Sequence, residues 1–317
     1  MAGAITHLLI AEEAMARFDA GSPLREIMNK NKPFLLLGAV SPDLPYASLQ
    51  GIWADRMHYD KTNEVPLICA VNVGCGVHGG KASLDSQAAW IAGYVSHCVA
   101  DATIHPIVQR IVGPYHADPE THRLCEMTQD SLLYSELRGA SLRDAQFTDQ
   151  LRKCKPKEVV HGILDNWVNA LHIVHGDRKP WPDTDLWFAI YTKLLDAATD
   201  GDLLLKLSRA IRPMEGYMYF AADRIRNLRS KEAQEYYEEV KLPTQPESAG
   251  KFRIEGFERA INNLLPIWSD LWEAIDTAKQ FGRELDKYAL KQSLKNWDLD
   301  TGADMGLWDA RVTAWQA

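Results

Sequence analysis

The sequence is short of the features that commit a chain to nucleic acid, membrane or the secretory route. Lysine and arginine total 35 against 43 aspartates and glutamates, for a formal charge of -8, and no basic block stands out. That argues against a duplex nucleic-acid binder with a broad cationic face, although bound metal ions can still supply positive charge locally. No run of 18 or more apolar residues occurs, so no transmembrane segment is expected. The N-terminal stretch has no basic leader region, and Glu12 and Glu13 interrupt its apolar residues, so no secretory signal is expected. The five cysteines (Cys69, Cys75, Cys98, Cys125 and Cys154) are odd in number, and none forms a CxxC pair. This fits reduced thiols and a cytoplasmic location, without a thiolate zinc knuckle. Strand alternation is scarce, and internal repeats and low-complexity tracts are absent.

What is present is helical periodicity. Ile5, Leu8, Leu9 and Phe18 set the apolar side of a helix over 5–18, started by Gly3 or Thr6. A second helix over 23–37 is broken by Pro33, and Leu37–Pro45 reads as a turn with two prolines. Residues 60–83, with Gly74, Gly76, Gly79 and Gly80, read as a loop, either a substrate lid or an irregular connection. Ser83 or Asp85 is the expected cap of a long helix over 86–111, and another runs from Pro119 through 122–137. Residues 157–175, 184–199, 201–229, 229–241, 251–281 and 283–296 also carry helical patterns. The expected fold class is all-α. Residues 1–140 would form a metal-binding core, and 141–317 would add further helices, on the same domain or as a C-terminal helical subdomain.

The segment Gly93–Pro106 carries His97, Asp101 and His105 at i, i+4 and i+8, and His122 and Glu126 repeat the i, i+4 spacing. Upstream lie His7, Asp43 and His58. Residues four apart share a helix face about 6 Å apart along the axis, so His97 and Asp101 can chelate one ion. His97 and His105 start about 12 Å apart, which favours two ions with Asp101 between them. His122 and Glu126 can then complete a site beside His105. Burying so many ionisable groups on an apolar helix requires compensation, and a metal provides it. Imidazole with carboxylate suits zinc.

Other residues have blander readings. His116 is a loop residue and His78 a weak substrate contact. His172 and His175 suit the negative end of a helix. Trp268 and Trp272 read as core packing; the alternative is a lipid-facing or ligand-facing surface shared with Trp181, Trp187, Trp297, Trp308 and Trp315. Asp130, one turn beyond Glu126, is a candidate partner for a ligand.

In their order and spacing these residues resemble the zinc-dependent phospholipase C family. The likeness rests on Thr6-His7-Leu8, Gly38–Asp43, His58-Tyr59, Gly93–His105 and His122–Glu126 and covers roughly residues 1–140. It implies an all-helical phospholipase C/nuclease-like bundle with two or three zinc ions that hydrolyse phosphodiesters. It also implies one zinc on Asp43, His58, His97 and Asp101, a second on His105, His122 and Glu126, and a third on His7 with Asp101 bridging. Asp43 is then the candidate general base. Secreted members place six residues between the aspartate and the next histidine, whereas the step here is four, from Asp101 to His105. That resembles the branch of the glycosylphosphatidylinositol-specific phospholipase D. Single-strand-specific zinc nucleases share the fold but end in HxxxD, where this chain has Glu126. Secreted members also use the N-terminal amine as a ligand, a role the Ala2 amine would take after methionine removal.

The expected function is therefore a zinc-dependent phosphodiester hydrolase, phospholipase C-like and acting on phospholipids, with peripheral membrane contact. One alternative is a zinc nuclease or small-molecule phosphodiesterase, which would need stacking aromatics in a groove. Another is a non-catalytic helical interaction protein stabilised by metal. The oligomeric state is not encoded in any pattern.

Overall fold

The computed structural model describes residues 3–77, 81–140, 142, 145, 147–154, 157–176, 178–199, 231–281 and 290–306. The helix expected over 201–229, the side chains of His78, Trp308 and Trp315, and the Ala2 amine lie outside them. The protein is all-α. The elements run α1 (Ala4–Arg17), α2 (Pro23–Lys30), α3 (Lys32–Val40), a 3-10 helix (Ser41–Ala47), α4 (Gly51–Tyr59), α5 (Glu64–Gly74), α6 (Lys81–Val112), α7 (Pro119–Arg138), α8 (Phe147–Arg152), α9 (Lys157–His175) and α10 (Thr184–Thr199). They continue with α11 (Lys231–Tyr237), β1 (Val240–Lys241), β2 (Ala249–Gly250), a π-helical turn (Arg253–Glu258), α12 (Arg259–Phe281), α13 (Leu290–Ser293), β3 (Trp297–Asp298) and β4 (Ala303–Asp304). Both strand pairs are short antiparallel ribbons.

The axis of the fold is α6, long enough to carry the whole His97–Asp101–His105 series on unbroken helix. Its closest neighbour is α3, and the two backbones touch at Gly38 and Gly93. A Cβ on Gly38 would fall 1.9 Å from the Trp90 carbonyl oxygen, and one on Gly93 would fall 2.0 Å from that of Leu35. Any side chain at either position would force the helices apart.

Around this crossing α12 packs on α1, α5 and α6. The fully buried Trp268 donates its indole N–H to the Ala92 carbonyl at 2.9 Å. Truncating such a residue to alanine typically costs about 3–5 kcal/mol, so α12 is firmly held on α6. A polar knot joins α9 to α5 and α6. Asn166 accepts from Asn72 Nδ2 at 2.9 Å and donates to Gln87 Oε1 at 2.9 Å and to the Cys69 carbonyl at 3.2 Å. Each of these buried polar groups thereby gains a partner.

Three local expectations need correction. Residues 64–74, expected as loop, form α5. Every residue from Val65 to Gly74 is buried, so the helix is apolar all round and has no 3.6-residue polar face to reveal it. The turn expected at Leu37–Pro45 is instead the end of α3, through Val40, followed by a 3-10 helix. The long helix already includes Lys81, so neither Ser83 nor Asp85 caps it.

Candidate metal centre

Five elements deliver the eight expected side chains to one buried locus. His7 comes from α1, Asp43 from the 3-10 helix, His58 from the last turn of α4, and His97, Asp101 and His105 from α6. His122 and Glu126 come from α7. Pro42 stands in the first turn of the 3-10 helix, where its missing N–H costs nothing, and Pro45 lies inside it. Ser41 fixes its start by donating to the Leu37 carbonyl and accepting the Trp90 indole N–H, each at 2.8 Å.

The imidazoles are oriented by backbone. His58 Nδ1 lies 2.7 Å from the Ala54 carbonyl, and His97 Nδ1 lies 3.0 Å from the Ala39 carbonyl. A carbonyl accepts only, so each Nδ1 carries the proton and each Nε2 presents a lone pair. Ala39 sits in the last turn of α3, where carbonyls lack in-helix donors.

The Nε2 atoms of four histidines converge on Asp101. Its Oδ1 lies 3.1 Å from His7 Nε2 and 3.3 Å from His105 Nε2, while its Oδ2 lies 3.1 Å from His97 Nε2 and 3.5 Å from His58 Nε2. Asp43 Oδ1 lies 3.2 Å from His58 Nε2 and 3.8 Å from His97 Nε2. Across α6, Glu126 Oε1 lies 3.1 Å from His122 Nε2 and 3.7 Å from His105 Nε2.

These are short distances, yet His7 Nε2, His105 Nε2, His122 Nε2 and Asp43 Oδ1 are buried without a well-formed hydrogen bond. Burying polar atoms without partners is costly, and a cation held among them would remove that cost. Three groups have ligand atoms all within 4.8 Å of one another, the spacing that can hold a metal ion. They are His7, Asp43 and His97; His58, His97 and Asp101; and His105, His122 and Glu126. The side chains therefore fit a divalent metal, and imidazole with carboxylate is a donor set of the zinc type.

The electrostatics agree. Burial disfavours a charged His58, yet hydrogen bonding to Asp101 and Asp43 pushes its pKa up to about 10. Burial, followed by the stacked His7 ring, pulls His97 the other way. Burial also opposes ionisation of Asp101, but His105, His97 and His7 hold its carboxyl well below the usual range. Asp101 and Asp43 thus favour positive charge on His58, while burial and His7 disfavour it on His97. Six of the eight residues are 0% exposed, while Asp43 retains 5% and Glu126 4%.

The remaining candidates lie elsewhere. His116 is exposed in the turn before α7, and His172 and His175 occupy the last turn of α9. Asp130 acts on α1. It accepts the Ile5 N–H at 3.1 Å, the Thr6 N–H at 2.8 Å and the Thr6 hydroxyl at 2.5 Å, capping the helix that carries His7. Trp268, Trp187 and Trp297 are buried, whereas Trp181 is exposed.

Sequence reasoning missed Asp300. Its Oδ1 lies 3.2 Å from His105 Nδ1, somewhat out of line for a hydrogen bond, and its Oδ2 accepts the Tyr59 hydroxyl at 2.9 Å. Burial opposes its ionisation, yet His105 and Tyr59 hold its carboxyl below the usual range. Asp300 lies outside any helix, so no helical spacing ties it to the other candidates, and it stands 195 positions beyond His105.

No curated protein and no solved structure matches the chain. Residues 6–176 match the family described as zinc dependent phospholipase C, a span of more than half of the 317 residues. This span holds all eight converging side chains, and the chain belongs to the zinc dependent phospholipase C family.

Proposed function

We propose that the protein is a phosphodiester hydrolase of the phospholipase C type acting on phospholipids. The observation that carries this reading is the Asp101 carboxylate, with one oxygen toward His7 and His105 and the other toward His58 and His97. A carboxylate so placed suits two adjacent cations. We assign Asp43, His58, His97 and Asp101 to one zinc, His105, His122 and Glu126 to a second, and His7 with Asp101 to a third.

Zinc, when bound, supplies Lewis acidity toward phosphoryl oxygens and lowers the pKa of water to about 7. The chain's own residues supply the rest. The backbone bonds at Ala54 and Ala39 keep His58 and His97 in the ligating tautomer. Asp43, which lies beside His58 and His97, is the group that orients the attacking water or takes its proton. The four-residue step from Asp101 to His105 favours the branch that resembles the glycosylphosphatidylinositol-specific phospholipase D.

Lipid access has support beside the centre. Leu49 is fully exposed, and Ile52, Trp181 and Leu186 are each about half exposed. Gln50 draws them together by accepting the Asp183 N–H and the Trp187 indole N–H. Leu49 and Ile52 lie between Asp43 and His58 in the chain, so this apolar group suits peripheral contact with a bilayer. Among the described residues no helix is long and apolar enough to cross a membrane.

Phosphorus NMR of the zinc-loaded protein with mixed phospholipid micelles tests the reading. A phosphomonoester head group is the expected product. Phosphatidic acid would instead establish D-type cleavage. Unchanged lipid signals with zinc bound would reject lipid as substrate and leave nucleotides and small diesters.

A further inference from the structure

The family match ends at residue 176, but a contact to the metal centre comes from far beyond it. The ribbon of β3 and β4 is docked on α4 and α6 by a series of specific bonds. The Leu299 N–H donates to the His58 carbonyl at 3.0 Å, Gln109 Nε2 to the Asp300 carbonyl at 2.9 Å, and the Thr62 hydroxyl to the Trp297 carbonyl at 2.9 Å. Asp298 folds the turn by accepting the N–H groups of Asp300 and Thr301, each at 3.0 Å.

The docking surface on α6 is itself unusual. Pro106 has no N–H, so the Ala102 carbonyl lacks its normal in-helix donor. Gly302 sits on that spot with φ +66°, where a Cβ would fall 2.4 Å from the Ala102 oxygen and 3.0 Å from Pro106 Cγ. Only glycine fits there, both in backbone conformation and in space. The turn therefore seats between Ala102 and Pro106, directly beside His105.

We propose that Asp300 is a positioning residue for the metal centre, holding the His105 ring so that Nε2 faces Asp101 and Glu126. The proposal rests on His105 being a metal ligand, as assigned above. Asp300 is buried, with one oxygen 3.2 Å from His105 Nδ1 and the other taking the Tyr59 hydroxyl. A carboxylate facing the far nitrogen of a ligating imidazole fixes its tautomer and raises its basicity. Its partners differ from those of His58 and His97, whose Nδ1 atoms meet backbone carbonyls. The group formed by His105, His122 and Glu126 thus depends on a side chain that the matched segment does not contain.

The test uses the full chain, loaded with zinc for affinity and with cadmium-113 for NMR. Asp300→Ala is expected to weaken one zinc equivalent by about 10- to 100-fold in chelator competition, leaving the others unchanged. Asp300→Asn, which keeps an acceptor oxygen, is expected to restore part of that loss. In cadmium-113 NMR one resonance should shift in Asp300→Asn while the rest stay. Gly302→Ala, which lifts the turn off α6, should weaken the same equivalent. Unchanged affinity and an unmoved spectrum in Asp300→Ala would overturn the proposal while leaving the metal assignment intact. A uniform loss of all equivalents in both Asp300 variants would also overturn it, since that marks general destabilisation. If the unaltered protein bound no zinc, the metal assignment would fall and this proposal with it.

Discussion

His58 Nε2 and His97 Nε2 stand 3.2 Å apart, and each ring has already placed its Nδ1 against a backbone carbonyl. Two lone pairs at that separation need a shared cation. When metal is stripped, a proton on His58 is the replacement, because the field of Asp101 and Asp43 outweighs burial and raises its pKa to about 10. The stabilisation from a raised pKa is fully present below the unfolded value near 6.5 and is lost as pH rises through the folded value. The melting temperature of the metal-free protein should therefore fall between about pH 6.5 and pH 10. Zinc titration at pH 8 should release a proton from this site. Calorimetry in two buffers of different ionisation enthalpy measures that release, and a buffer-independent heat would refute it.

Asp101 meets four histidines, whereas His122 meets one carboxylate of the cluster at close range. Asp101→Ala should lower bound zinc by more than one equivalent and His122→Gln by one. Metal analysis of the purified variants checks this. Equal zinc in Asp101→Ala and the unaltered protein would count against a bridging role.

Gly38→Ala places a methyl 1.9 Å from the Trp90 carbonyl oxygen, an atom of a rigid helix backbone. The expected destabilisation is about 3 kcal/mol or more, at the upper end of overpacking costs. Urea unfolding measures it, and a midpoint within error of the unaltered protein would show that α3 and α6 separate at little cost.

Asp130→Ala removes the acceptor for two N–H groups and one hydroxyl at the start of α1. Losing a helix cap costs about 1–2 kcal/mol, and leaving buried donors unmatched adds to that. Because His7 directly follows Thr6, the third zinc should also weaken. Amide hydrogen exchange of Ile5 and Thr6, read beside zinc content, follows both effects.

Much of the centre was legible because helices repeat. His97, Asp101 and His105 announce themselves by spacing, as do His122 and Glu126, and the structure puts each series on one helix. His7, Asp43 and His58 have no such spacing among themselves; their ligand chemistry grouped them with the rest, and only the family resemblance assigned them to particular ions. Helix α5 was illegible because burial on all sides erases amphipathic contrast. Asp300 was illegible because its partner is remote in sequence and its own neighbourhood encodes only a turn. Asp130 was half legible: its helical face was apparent, but its use as a cap for α1 depends on how two helices meet.

The contact between Gly38 and Gly93 also limits how this protein can diverge. In most cores an enlarged residue can be answered by a smaller neighbour, so sequences drift while volume is kept. Here both partners are already the smallest residue, and each opposes main chain, which cannot shrink. Ala39 follows Gly38 directly and holds His97 through its carbonyl, so a helix shift that relieved a bulkier residue would also turn a ligand. A side chain at Gly38 or Gly93 would therefore disturb the helix packing and the orientation of His97 together, with no neighbour able to shrink in compensation.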